Sequence, residues 1–84
     1  MLKVQVNFYA SARAAAGVET EAVALPDGAT LADLITHLDD QHPGPLGRVL
    51  RAVSFLVDGV ATTRRTSVLP DGAQVDVLPP FAGG

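Results

Sequence analysis

The stretch Thr30-Leu31-Ala32-Asp33-Leu34-Ile35-Thr36-His37-Leu38-Asp39-Asp40-Gln41 decides how this chain is to be folded. Leu31, Leu34, Ile35 and Leu38 fall at i, i+3, i+4 and i+7, which draws one apolar stripe down a helix. Thr30 stands where an N-cap is needed. Asp33, three residues on, can reach back to the cap nitrogen, a capping box with a shortened carboxylate. Pro43 and Gly44 end the run, because proline cannot continue a helical hydrogen-bond ladder. One main helix covers only one face of a sheet, so strands elsewhere must form a sheet that is packed on one side.

Working outward, residues 2–9 alternate: Leu2, Val4, Val6 and Phe8 on one face, Lys3, Gln5, Asn7 and Tyr9 on the other. Ser11 is the expected N-cap of a short helix from Ala12 to Ala16, which Gly17 terminates. A second strand is read from Glu19 to Leu25, with Glu21, Val23 and Leu25 on one face. A glutamate on the inward side marks it as an edge strand. After the main helix, residues 45–51 read as another helical turn with Leu46, Val49 and Leu50 inward and Arg48 and Arg51 outward. Val53, Phe55 and Val57 mark a third strand, and Asp58-Gly59 a tight hairpin into a short return strand, Val60 to Thr62. The last strand is Gln74 to Leu78, with Val75 and Val77 inward and Leu78, like Leu56 by the same alternation, pointing away from the core. Leu-Pro-Asp-Gly occurs at 25–28 and again at 69–72, but one copy opens a helix and the other a strand. The shared feature is turn chemistry, not a duplicated unit.

The order strand, small helix, strand, main helix, small helix, strand, short strand, strand predicts an α+β domain with a mixed sheet. The first and last strands lie centrally in it. This pattern resembles the β-grasp, or ubiquitin-like, fold. Residues 1–78 form the domain, and 79–84 are expected to be a flexible Gly-Gly tail. A hydrophobic share of 48% suffices for one core, which must be aliphatic because there is no tryptophan and little aromatic content. A net charge of −3 argues against nucleic acid as the main partner, since phosphates call for a basic surface. A strand from residue 2 leaves no room for a signal segment, and no apolar run approaches a membrane span, so a cytoplasmic location is expected.

Cysteine is absent, which excludes a disulfide, a thiolate metal site, a cysteine nucleophile and a persulfide on this chain. His37 and His42 lie near Asp39 and Asp40, but five residues apart they share no helical face. A solvated helix end is read there and no metal site. Ser11, Ser54 and Ser67 have no motif context for a nucleophile. Arg64 and Arg65 read either as a solvated loop or as charges that meet an acidic partner. The ending Pro79-Pro80-Phe81-Ala82-Gly83-Gly84 contributes nothing to a core. Two prolines stiffen the exit from the strand, and two glycines make a tip bare of side chains. Leu78 and Phe81 beside that tip form an apolar collar suited to docking a partner.

The whole ending, Val75-Asp76-Val77-Leu78-Pro79-Pro80-Phe81-Ala82-Gly83-Gly84, resembles the terminus of the MoaD/ThiS family of sulfur carriers. The opening strand with Phe8-Tyr9-Ala10-Ser11-Ala12-Arg13 is similar to the molybdopterin branch of that family. The 30–38 helix and the Asp58-Gly59 hairpin fit as well, so the resemblance covers essentially all 84 residues. It implies a chain that is non-catalytic by itself and binds no cofactor. Its Gly84 carboxylate would be adenylated by a partner adenylating enzyme that uses ATP, and then converted to a thiocarboxylate. A molybdopterin synthase large subunit, in a heterotetramer, would take that sulfur for the dithiolene of molybdopterin. Ala82 and Gly83 would thread into the partner's active site, while Leu78, Pro80 and Phe81 would touch its surface. Four residues from Phe81 reach at most about 13–14 Å. Phe81 departs from the family pattern, in which smaller aliphatic residues are common. Carriers for thiamine or cysteine biosynthesis, a ubiquitin-like protein modifier and a plain binding module remain as alternatives.

Overall fold

A computed structural model describes residues 1–79. Strands β1 (Leu2–Phe8), β2 (Thr20–Leu25), β3 (Ser54–Val57), β4 (Val60–Thr62) and β5 (Gln74–Leu78) form one sheet in the order β2-β1-β5-β3-β4. The two central strands, β1 and β5, run parallel with Val6 beside Val75 and Phe8 beside Val77, and the other pairings are antiparallel. The first and last strands of the chain are therefore neighbours in the interior of a mixed sheet. β2 lies at one edge, where its inward glutamate placed it.

Helices α1 (Ala10–Ala16), α2 (Leu31–Gln41) and α3 (Pro45–Leu50) contribute to a single core with one face of the sheet. The stripe on α2 is buried as its spacing requires. Leu31, Leu34 and Leu38 are fully enclosed, with Ile35 packed at the margin. They meet Val6, Phe8, Val75, Val77 and Phe55 from the sheet and Leu46 and Leu50 from α3 in an almost wholly aliphatic cluster. No polar side chain is buried among the described residues. The capping box on α2 is complete. The Thr30 N–H donates to Asp33 Oδ2 at 2.8 Å, and the Asp33 N–H donates to Thr30 Oγ1 at 3.3 Å.

The start of α1 differs from the sequence reading. The helix begins at Ala10 rather than Ala12, with Tyr9 as its N-cap, and Ser11 makes no capping bond. The end of β1 decides this. The Tyr9 N–H donates to the Val77 carbonyl, while the Tyr9 carbonyl accepts from Ala12 and Arg13. The chain must therefore turn at once, and Ala10 adopts φ 51 to do so. That side of φ is unusual for a residue with a Cβ. Ala12, fully buried, then anchors α1 in the core. Gly17 closes the helix in the left-handed region as expected.

The two Leu-Pro-Asp-Gly copies fold into matching turns, with Ala29 donating to the Pro26 carbonyl and Ala73 to the Pro70 carbonyl. They flank the start of β1 on its two sides. Asp27 pairs with the Met1 amine at 2.9 Å, and Asp71 accepts from the Lys3 N–H at 2.8 Å. The β3–β4 hairpin carries positive φ at both Asp58 (49°) and Gly59 (82°), the geometry that matches a two-residue turn to strand twist.

Candidate docking face and chain exit

The sheet has one face under the helices and one open. On the open face the central strands place Gln5 beside Gln74 and Asn7 beside Asp76. β3 adds Leu56, directly opposite Asp76, and Ser54, opposite Leu78. Leu78 and Leu56 thus sit on the side away from the core, as alternation predicted. Both are half-buried rather than fully exposed. Tyr9 projects at the same end, 45% exposed.

β5 is clamped between β1 and β3, so the chain leaves the domain from the middle of the sheet at Leu78 and Pro79. Pro79 is half-buried. The other residues read as functional, Pro80, Phe81, Ala82, Gly83 and Gly84, lie outside the described residues, as do the expected course and flexibility of the tail.

Several charged groups come out differently from their sequence reading. His42 is no solvated helix end. Its Nε2 lies 2.6 Å from Glu21 Oε1, the pair is only 17% and 23% exposed, and the imidazole meets the Phe8 ring edge-on at 6.1 Å. The inward glutamate that marked β2 as an edge is the partner that draws the end of α2 onto the sheet. Arg65 is not simply solvated either. Its guanidinium stands 5.2 Å from the centre of the buried Phe55 ring, a cation–π contact, and its carbonyl accepts from the Ala32 N–H. Arg64 is exposed.

The sequence reading passed over a polar row across the open face. Asn7 Nδ2 donates to Asp76 Oδ1 at 2.8 Å and to Gln74 Oε1 at 3.2 Å, while Gln5 Nε2 donates to Asn7 Oδ1 at 3.2 Å. Each residue is visible on the polar side of its own strand, but only the parallel pairing of β1 and β5 brings them together.

A shallow groove of about 410 Å³ between the first Pro-Asp-Gly turn and α2 holds Asp27, Asp33, His37 and Asp40. Asp27 and Asp33 are already engaged, by the Met1 amine and the helix cap. The groove lies at the start of β1, and Leu78 lies beyond its end, roughly 20 Å away at about 3.3 Å per residue. No group of three or more potential metal ligands gathers among the described residues, and no described helix is long and apolar enough to cross a membrane.

A sequence model of the ThiS family matches residues 6–84. The molybdopterin synthase sulfur carrier subunit of Chlamydomonas reinhardtii is 30% identical over 84 residues, spanning 99% of this chain and all of that protein. In structure the chain is similar to SAMP1 from Haloferax volcanii, with a TM-score of 0.86 at 24% identity over 98% of this chain and 99% of that one. It is also similar to a chain of the complex of subunits 1 and 2 of molybdopterin-converting factor from Helicobacter pylori. There the TM-score is 0.73 at 20% identity, over 99% of this chain and all of that one. The fold is the β-grasp of the ubiquitin-like carriers.

Proposed function

The chain belongs to the ThiS family, and from that membership we propose that it is the sulfur-carrier small subunit of a molybdopterin synthase, with the Gly84 carboxylate as the group that holds sulfur. The observation that carries this reading is the end-to-end match to a curated molybdopterin synthase carrier subunit in a chain that ends in Gly83-Gly84. The absence of cysteine supports it, because no side-chain thiol competes for the role.

The chemistry follows from the weakness of a carboxylate as an acyl donor. In the proposed cycle a partner enzyme transfers AMP from ATP onto a Gly84 oxygen, releasing pyrophosphate. A sulfur nucleophile then adds to the acyl carbon, and AMP departs with the oxygen that it activated. What remains is a thiocarboxylate, whose sulfur the large subunit transfers to the pterin precursor. The carrier itself is non-catalytic in this scheme and contributes shape. β5, held on both sides, gives the tail a fixed origin, and the double proline stiffens its first step. Leu78, Pro80 and Phe81 are assigned to the partner contact, and Ala82 and Gly83 to the narrow part of its channel. The Helicobacter pylori relative, which was solved as a complex of two subunits, supports a large-subunit partner.

Intact mass spectrometry tests the assignment. Incubation with ATP, the adenylating enzyme and a sulfur donor should raise the mass by the difference between one sulfur and one oxygen atom. A chain lacking Gly84 should show no change. No rise with a demonstrably active enzyme refutes the carrier role. A second reading, a protein modifier joined through Gly84 to lysines, draws on the close fold match to a small archaeal modifier protein. Conjugates that survive denaturation and reducing agent would favour it. Co-purification with a thiamine- or cysteine-pathway enzyme in place of the large subunit would move the chain to another branch.

A further inference from the structure

One carboxylate stands in the middle of the open face. Asp76 is half-buried, with Leu56 directly opposite it across the β3–β5 register and Leu78 two residues further along the same side of β5. Its Oδ1 accepts from Asn7 Nδ2 at 2.8 Å. The Asn7 amide has nothing left to give. Its second N–H goes to Gln74, and its oxygen is taken by Gln5. No other side chain among the described residues donates to Asp76, and none pairs with it as an ion. A carboxylate accepts about four hydrogen bonds, so most of this one's capacity is left unused by the described side chains.

A partner that covers Leu56 and Leu78 expels water from this face, and Asp76 cannot be left out because it adjoins both, across the strand pair from one and two residues along β5 from the other. A carboxylate enclosed without a counter-charge is heavily penalised. Among the described residues no cation pairs with Asp76, and Arg13, which shares a concavity with Asn7, is held by Glu19 at 2.6 Å. Lys3, the other charge that alternation puts on this face of β1, is four residues up the strand from Asn7, about 13 Å away. We propose that the docking partner carries an arginine or lysine placed over Asp76, set among apolar side chains that meet Leu56 and Leu78. A guanidinium suits the position best. It binds a carboxylate through two parallel N–H bonds, and its flat surface tolerates apolar neighbours. Asp76 then acts as the element that selects among apolar partners, because a wholly apolar surface would bury it unpaired. This rests on the proposed contact of Leu78 with the large subunit, extended to the open face on which Leu78 stands.

Calorimetric titration of the full-length chain with the purified large subunit from the same organism tests it. Asp76→Asn keeps the shape and the Asn7 bond but loses the charge, and Asp76→Leu joins Leu56 and Leu78 into one apolar surface. With a cation opposite, both should weaken binding, Asp76→Asn by about tenfold or more and Asp76→Leu further. Added salt should weaken the wild type more than Asp76→Asn. The urea midpoint of Asp76→Asn should stay at the wild-type value, which assigns the loss to the interface. Affinity that is unchanged, or tightened by Asp76→Leu, overturns the proposal while leaving the docking face in place. Failure of the wild-type chain to bind the large subunit overturns the docking reading, and this inference with it.

Discussion

His42→Ala should destabilise the domain far more than a substitution at an ordinary helix end. Two contacts disappear together. The bond to Glu21, at 2.6 Å between groups only 17% and 23% exposed, is of a kind worth about 1.5–3 kcal/mol when one partner is charged. The edge-on contact with the buried Phe8 ring adds about 0.5–1.5 kcal/mol. Glu21 retains some access to solvent and can recover part of its hydration, so the lower half of the combined range applies, about 2–3 kcal/mol. A domain of this size loses about 4–8 °C in Tm per kcal/mol, so the midpoint should fall by about 8–24 °C. Urea denaturation followed by circular dichroism measures the loss directly. At a slope of about 1 kcal/mol/M for so small a chain, the midpoint should move by about 2 M or more. A cycle through Glu21→Ala, His42→Ala and the double variant should show a coupling of about 1–2 kcal/mol, as expected of groups in direct contact. A His42→Ala variant within about 0.5 kcal/mol of wild type, the range of an inert surface change, would refute the clasp between β2 and α2.

Two glycines should respond with opposite sign to the same change. Gly59→Ala puts a Cβ into open space but at φ 82, so its cost is purely conformational, about 1–2 kcal/mol in an unfolding experiment. Gly47→Ala, inside α3 with ordinary φ, meets only the carboxylate end of exposed Asp39, which can swing aside. The roughly 0.5–1 kcal/mol of helix propensity gained should leave it neutral or stabilised. Equal losses at the two sites would contradict this account. At the exit, Leu78→Asp and Phe81→Asp should each weaken association with the large subunit by about tenfold or more, with the far-UV spectrum preserved. An unchanged affinity removes the residue concerned from the interface.

Much of the architecture was legible because burial leaves a periodic trace. The two-residue alternation of β1 and β5, the i, i+3, i+4 stripe of α2 and the Asp58-Gly59 turn are local signals. Each depends on residues within one element, and each appears in the structure where it was read. The start of α1 moved under a distant constraint. Ser11 has good capping chemistry, but the bond from Tyr9 to Val77 commits the chain to turn two residues earlier.

The amino-acid order alone was enough to establish strand and helix, inside and outside, and a Gly-Gly ending that resembles a sulfur carrier's. Tertiary structure decided who meets whom. Glu21 and His42 are 21 residues apart, and Asn7 and Asp76 are 69 apart. No periodicity within either segment records the meeting, because it is created by strand order and register. The antiparallel pairing of β3 with the last strand sets Leu56 across from Asp76, with Leu78 two residues along β5, on the face beside the chain's exit. That face is therefore not a plain apolar patch but one that asks its partner for a positive charge.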